Sequence, residues 1–329
     1  MKKVLVTGGG GFVGSHIVKQ LRAMDISCVV LGRNVYPEIE AMGAQCVQGD
    51  IADASSVHAI LQGIDTVFHV AALAGIWGEW EDYHRINVLG TRNVLAASRS
   101  NGVRNFIYTS TPSVVFSGDD IINGDEGLPY GNNVLCHYAK SKIMAEKLVL
   151  ESNNGEMRSC AIRPHLIWGP GDPHLIPRLL ERGRKKELKK VGNCKNLVDI
   201  SYVDNVATAH ILAAQNLENT GTAAGKAYFI SQGEPVNLWD WIDELFLRFQ
   251  VPVIEKSVPF ALAYTAGAIL ETAHRIFAPG KEPKMTRFLA EQLAKSHCFS
   301  IKNAEKDLGY IPLISTEEGM NRLCEAGAL

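Results

Sequence analysis

Thr7-Gly8-Gly9-Gly10-Gly11-Phe12-Val13-Gly14 follows directly on the apolar run Val4-Leu5-Val6. An apolar run that breaks into glycines and resumes as a helix-forming segment, Val13 to Ala23, reads as a strand–turn–helix unit. Gly8 can take a backbone angle that other residues avoid. Gly11 leaves room for a close approach, and Gly14 lets the helix pack on the strand. The helix start points its free amides and positive dipole end at the turn, a setting that favours phosphate. Such a turn after the first strand is expected to cradle the pyrophosphate of a dinucleotide. Its Gly-x-x-Gly-x-x-Gly spacing departs from the commoner Gly-x-Gly-x-x-Gly. A glycine turn without a ligand is the plain alternative.

Outward from this unit the chain alternates strand and helix. Strands are expected near 3–6, 27–32, 45–48, 66–70, 104–110, 159–163 and 227–230. Continuous apolar strands between helices imply an α/β fold, a doubly wound parallel sheet covered on both faces. Residues 1–165 and 200–232 are assigned to the dinucleotide-binding domain. Residues 166–199 and 233–329 are assigned to a smaller, mostly helical substrate domain. The substrate is expected in the cleft between them, beyond the carboxyl ends of the strands.

Far downstream stands Tyr138-Ala139-Lys140-Ser141-Lys142, inside the helix-forming segment Cys136 to Glu151. Four-residue spacing puts Tyr138 and Lys142 on one helix face. A tyrosine with a pKa of about 10 is neutral at pH 7, and a neighbouring ammonium is expected to lower it towards proton transfer. Alone, the pair also fits an ordinary surface helix. Beside a dinucleotide cradle, it equips the protein to interconvert an alcohol and a ketone.

With 329 residues, 46% of them hydrophobic, and a net charge of -2, the chain has ample core for a globular protein. It lacks the basic excess of a nucleic-acid binder. Seven scattered cysteines form no metal-ligand cluster and suit reduced thiols in a cytoplasm; Cys136 reads as packing or pocket lining. The apolar start ends at Thr7, too short for a signal peptide. Arg182 to Lys190 reads as a solvated helix end. The apolar run Val258 to Leu270 is too short to span a membrane. It is expected to line a greasy pocket, with contact at a bilayer surface as the second reading.

The ordered motifs resemble those of the extended short-chain dehydrogenases/reductases, nearly end to end. Gly49-Asp50-Ile51 matches the adenine-contacting position, His69-Val70-Ala71-Ala72 the backbone beside the cofactor, and Asn87-Val88-Leu89-Gly90-Thr91 the Asn-x-x-Gly-Thr helix. Tyr108-Thr109-Ser110-Thr111 matches the strand end carrying the catalytic hydroxyl, and Arg163 to Asp172 the Arg-Pro stretch. The resemblance implies catalysis by Thr111, Tyr138 and Lys142, with Ser110 the alternative to Thr111. It implies cofactor contacts at Gly8, Gly11, Phe12, Val13, Gly14, Arg33, Asp50, Ile51, Ala71, Ala72, Asn87, Tyr138, Lys142 and Pro164. Asn87 is expected to support a water or a backbone kink.

The second strand ends in Gly32-Arg33-Asn34 with no carboxylate. An acid there would hold ribose hydroxyls and repel a 2′-phosphate; Arg33 can pair with one. NADP(H) is therefore preferred, with NAD(H) the alternative. Thr109 to Phe116 and the long interval to Tyr138 resemble the 3β-hydroxysteroid dehydrogenase branch. Within it, segments such as Ala74 to Gly78, Gly225 to Ser231 and Met285 to Leu293 resemble bacterial reductases of 2-alkyl-3-oxoalkanoic acids. The implied substrate is hydrophobic. A sterol is the first alternative, a nucleotide sugar undergoing epimerisation or dehydration the second, and a non-enzymatic NADP(H) sensor a further one. Trp77, Trp80, Trp168, Phe260, Tyr264 and Phe288 are candidate cleft walls. His165, His174, Arg178 and Arg287 are candidate partners for a substrate carboxylate. The resemblance also implies a homodimer, formed through the helices after Asn87 and around Tyr138, with Leu95, Ile143 and Leu148 outward.

Overall fold

The structure, a computed structural model, describes residues 1–278 and 280–327. Seven strands form one sheet, in the order Ala227–Ile230, Arg158–Pro164, Asn105–Thr109, Thr66–His69, Lys3–Thr7, Ser27–Gly32, Gln45–Gln48. Every neighbouring pair is parallel. Alternation along each strand feeds two layers. Val4 and Val6 join Ile17, Val18 and Leu21 of the helix Phe12–Ala23 on one face. Leu5 joins Val67, Phe106 and Val94 on the other. The doubly wound parallel sheet expected from the sequence is therefore present. The strand order turns back between Lys3–Thr7 and Thr66–His69, and there the carboxyl ends open a crevice.

A second core surrounds Trp168, Tyr202, Trp241 and Phe246. Trp168 is fully buried, edge-on to Tyr202 and Trp241; it is core, not a cleft wall. A small sheet of Val236–Asn237, Leu197–Val198, His297–Phe299 and Ile121–Gly124 links the halves. The division at 200 and 233 is less clean than the sequence reading drew it. Ile200 and Tyr202 belong to the second core, while Ile301, Ala304, Leu308 and Tyr310 pack into the first. Leu95 is buried within its own chain and is not an outward contact; Ile143 and Leu148 are half-buried. All seven cysteines are free thiols.

The apolar run at Val258 becomes the helix Phe260–Phe277, with Ala263, Gly267 and Glu271 on its buried face. At Gly267 a Cβ would lie 2.7 Å from the carbonyl carbon of Thr286. Only glycine admits that approach of the segment leading into the helix Arg287–Ala294. Leu262, Ile269, Ile276 and Phe277 are exposed on the outer side. No described helix is long and apolar enough to cross a membrane.

Candidate active site

The glycine turn is built as its spacing implies. Gly8 has φ +69°, and a Cβ there would lie 2.9 Å from the Ala71 backbone. A Cβ at Gly14 would lie 2.2 Å from the Gly8 carbonyl. The helix is capped by Gly11 without a side-chain hydrogen bond, and Ser15 N–H is the donor that reaches the Gly11 carbonyl. The amides before it start the helix with no helical acceptor and border a cleft of about 600 Å³. Gly8, Gly11, Phe12, Val13, Gly14, Arg33, Asp50, Ile51, Ala71, Ala72, Thr111, Tyr138, Lys142 and Pro164 all line this cleft. The sequence reading had scattered them over more than 150 positions; the fold brings them round one cavity.

Asn87 is the exception. It is buried behind the cleft wall, in the π-helical segment His84–Leu89 that runs into the helix Gly90–Ser100. Its Oδ1 accepts from Leu73 N–H at 2.7 Å, and its Nδ2 donates to Leu73 O at 3.0 Å and Ser141 Oγ at 2.9 Å. Ser141 Oγ in turn donates to Tyr138 O at 2.7 Å. Asn87 thus braces the wall residue Leu73 against the Tyr138 helix rather than touching the cleft contents. Its segment is π-helical, a local departure from the α-helical backbone.

His69 supplies a second brace. Burial, with Lys142 adding to it, pushes its imidazole down to about 3, so the ring is neutral. Its Nε2 lies 2.9 Å from Thr91 Oγ1, whose hydroxyl donates to Asn87 O at 2.7 Å. Nε2 is therefore the donor, and Nδ1 accepts from Thr7 Oγ1 at 2.7 Å. Thr7 Oγ1 itself receives Ala71 N–H at 3.2 Å. The strand end, the π segment and the cleft wall are joined in one chain of hydrogen bonds.

Tyr138 sits in the first turn of the helix His137–Glu151; Thr111, whose Oγ1 donates to Ser113 Oγ at 3.2 Å, lines the same cleft. The expected lowering of the phenol by Lys142 does not occur. Burial holds the phenol above its usual pKa, with Cys136 adding to the shift. The Lys142 ammonium instead donates to Thr109 O at 2.6 Å, 4.1 Å from the Tyr108 ring centre. Burial pushes Lys142 down to about 7, opposed by Glu146. Ser110 also lines the cleft, its buried Oγ without a hydrogen-bond partner among the described residues.

A smaller cavity of about 100 Å³ is bordered by Trp77, Cys136 and Phe288 and by the polar His137, Glu271 and Arg275; Tyr138 packs against the cluster that includes Cys136 and Phe288. Tyr83, unremarked in the sequence, holds its loop by donating to Gly75 O at 2.8 Å and Trp77 O at 3.2 Å. The Tyr83 ring stands 6.5 Å from that of Tyr138. Of the candidate cleft walls, Trp77 and Phe288 border this cavity. Arg178 and Arg287 do not lie free for a ligand: Arg178 pairs with Glu282, and Arg287 with the buried Glu271. His165 is buried against His297, 2.6 Å away, and His174 borders the large cleft.

Residues 5–261 match the 3-beta hydroxysteroid dehydrogenase/isomerase family. The chain belongs to that family. It is 46% identical to a 2-alkyl-3-oxoalkanoate reductase of Shewanella oneidensis, over 97% of this chain and 84% of that protein. Identity to the reductase of the same name from Stenotrophomonas maltophilia is 43%, over 99% of both. A human sterol-4-alpha-carboxylate 3-dehydrogenase, decarboxylating, is 34% identical over 99% of this chain and 88% of its own. Among solved structures, MoeE5 in complex with UDP-glucose and NAD superposes with a TM-score of 0.75 at 25% identity, covering 98% of each chain. The protein is accordingly an NAD(P)-dependent oxidoreductase of the extended short-chain type, acting on CH–OH groups.

Proposed function

We propose that the protein reduces the ketone of a hydrophobic β-keto acid, a 2-alkyl-3-oxoalkanoate, to the 3-hydroxy acid, with NADPH as reductant. The observation that carries this reading is the placement of Tyr138, which lines the glycine-cradled cleft and packs against residues of the smaller cavity of mixed lining, with Thr111 lining the same cleft. The reductases and the sterol dehydrogenase share one substrate pattern by name: an oxygenated carbon next to the carbon that bears a carboxylate.

The glycine turn and the helix amides fit a pyrophosphate, and Gly8 and Gly14 fit nothing larger at their positions. Asp50 pairs with Arg85 at 3.0 Å, and the Arg33 charge also acts on it. Two cations and one carboxylate leave net positive charge at the adenosine end, which favours a 2′-phosphate. A bound dihydronicotinamide supplies hydride to the carbonyl carbon. Tyr138, protonated at neutral pH, gives its proton to the carbonyl oxygen. The Thr111 hydroxyl orients that oxygen; Lys142, one turn further along the Tyr138 helix with its ammonium on Thr109 O, borders the same cleft. Ile76, Trp77 and Phe288 form the apolar part of the small cavity's wall. The free thiols support a reducing, cytoplasmic setting.

The test is NADPH oxidation by purified protein with a 2-alkyl-3-oxoalkanoic acid, a 3-ketosteroid and a UDP-sugar in parallel. The keto acid is expected to be consumed fastest, with NADPH preferred over NADH. Turnover of the sterol or the UDP-sugar in its place would overturn the assignment.

A further inference from the structure

In a β-keto acid the carboxylate is two bonds from the reacting carbon. Its partner must therefore stand beside Tyr138, not at the far end of an alkyl channel. We infer that Arg275, at the mouth of the small cavity next to Tyr138, is the residue that recognises the substrate carboxylate. The inference rests on the β-keto acid reading above and adds the residue that selects for the acid.

Elimination and position both lead to it. Arg178 is held by Glu282, Arg287 by Glu271, and His165 lies buried against His297. Arg275 borders the cavity together with Glu271, one turn earlier on the helix Phe260–Phe277. The Glu271 carboxylate is already taken: Oε2 receives Arg287 Nε at 2.9 Å, and Oε1 receives Arg287 N–H at 2.6 Å. Glu79, the other acid bordering the cavity, occupies the N-cap position of the short helix Trp80–Tyr83, where its side chain makes no cap hydrogen bond. Arg275 forms no ion pair with an acid among the described residues. Its guanidinium lies 5.9 Å from the Trp77 ring centre, an arrangement that limits its freedom while its donors stay available. Trp77 is on the loop that Tyr83 ties down, and His137, in the same cavity wall, directly precedes Tyr138.

The cavity, about 100 Å³, has room for a carboxylate-sized group. A planar fork over an aromatic ring is suited to a bidentate grip on such a group. Arg275 carries no mark in the sequence, because it lies in the last turn of a helix far along the chain from Tyr138.

The test compares a 2-alkyl-3-oxoalkanoic acid with its methyl ester, in wild type and Arg275→Gln. Arg275 is exposed, and a thermal melt of the variant checks its folding. Wild type is expected to favour the acid, and Arg275→Gln to lower the acid-to-ester ratio of kcat/KM by about tenfold or more, chiefly through the KM of the acid. A ratio unchanged in the variant would overturn the role of Arg275 while leaving the β-keto acid reading intact. Failure of the wild type to turn over either compound would remove that reading and this inference with it.

Discussion

The ammonium of Lys142 lies 4.1 Å from the ring centre of Tyr108, inside the protein, although Tyr138 is the tyrosine one helical turn away from it. A buried lysine at this place costs stability while it is charged. Its pKa falls from 10.5 unfolded to about 7 folded. Between those values the unfolded chain binds more protons, so the wild type gains stability as pH rises from about 7 to 10.5, by up to about 1.4 kcal/mol per unit. Lys142→Met is therefore expected to melt higher than wild type at pH 7 and below, with the gap narrowing above pH 7, and to lose most turnover. Denaturant unfolding at several pH values checks it; a gap that does not vary with pH contradicts it.

Asp199 carries the opposite sign. Burial pushes its carboxyl from 3.8 up to about 7, against the hydrogen bond from Phe299 N–H. Between these values the folded protein holds the extra proton, so stability is full below 3.8 and falls as pH rises towards 7. Asp199→Asn keeps an acceptor for Phe299 and removes the charge. The variant is expected to be more stable than wild type at pH 8, with the advantage fading towards pH 4, as read from melting temperatures.

Arg33 decides between the two nicotinamide cofactors if its charge serves a 2′-phosphate. Arg33→Ser is expected to raise the KM for NADPH by about tenfold and to change that for NADH little. Equal effects on both would assign Arg33 to the loop alone.

Removing the Asn87 amide strands the Leu73 N–H and O behind the cleft wall. Asn87→Ala is expected to cost about 1–3 kcal/mol of stability and to weaken cofactor binding without contact to the cofactor. Calorimetry and a fluorescence titration read the two effects. Loss of cofactor affinity at unchanged stability would mean direct contact.

Local physics made the sheet legible. Apolar runs such as Val4-Leu5-Val6 are buried on both faces, and glycines at Gly8 and Gly14 have no space for a Cβ. Both signals are carried by adjacent residues. What stayed hidden depends on partners distant in sequence. Lys142 faces Thr109 and not the phenol because of where the strand Asn105–Thr109 ends. Leu95 faces inward because helix and sheet close over it. Trp168 is core because Tyr202 and Trp241 meet it. Arg275 and Tyr83 gain meaning only when their loop and helix fold against Tyr138.

The central claim, a Tyr138 phenol that gives its proton to a β-keto acid beside a bound nicotinamide, is tested most directly by Tyr138→Phe. NADPH affinity is expected to stay within about twofold of wild type, while kcat for a 2-alkyl-3-oxoalkanoic acid falls by about a hundredfold or more. Near wild-type turnover by that variant would contradict the account.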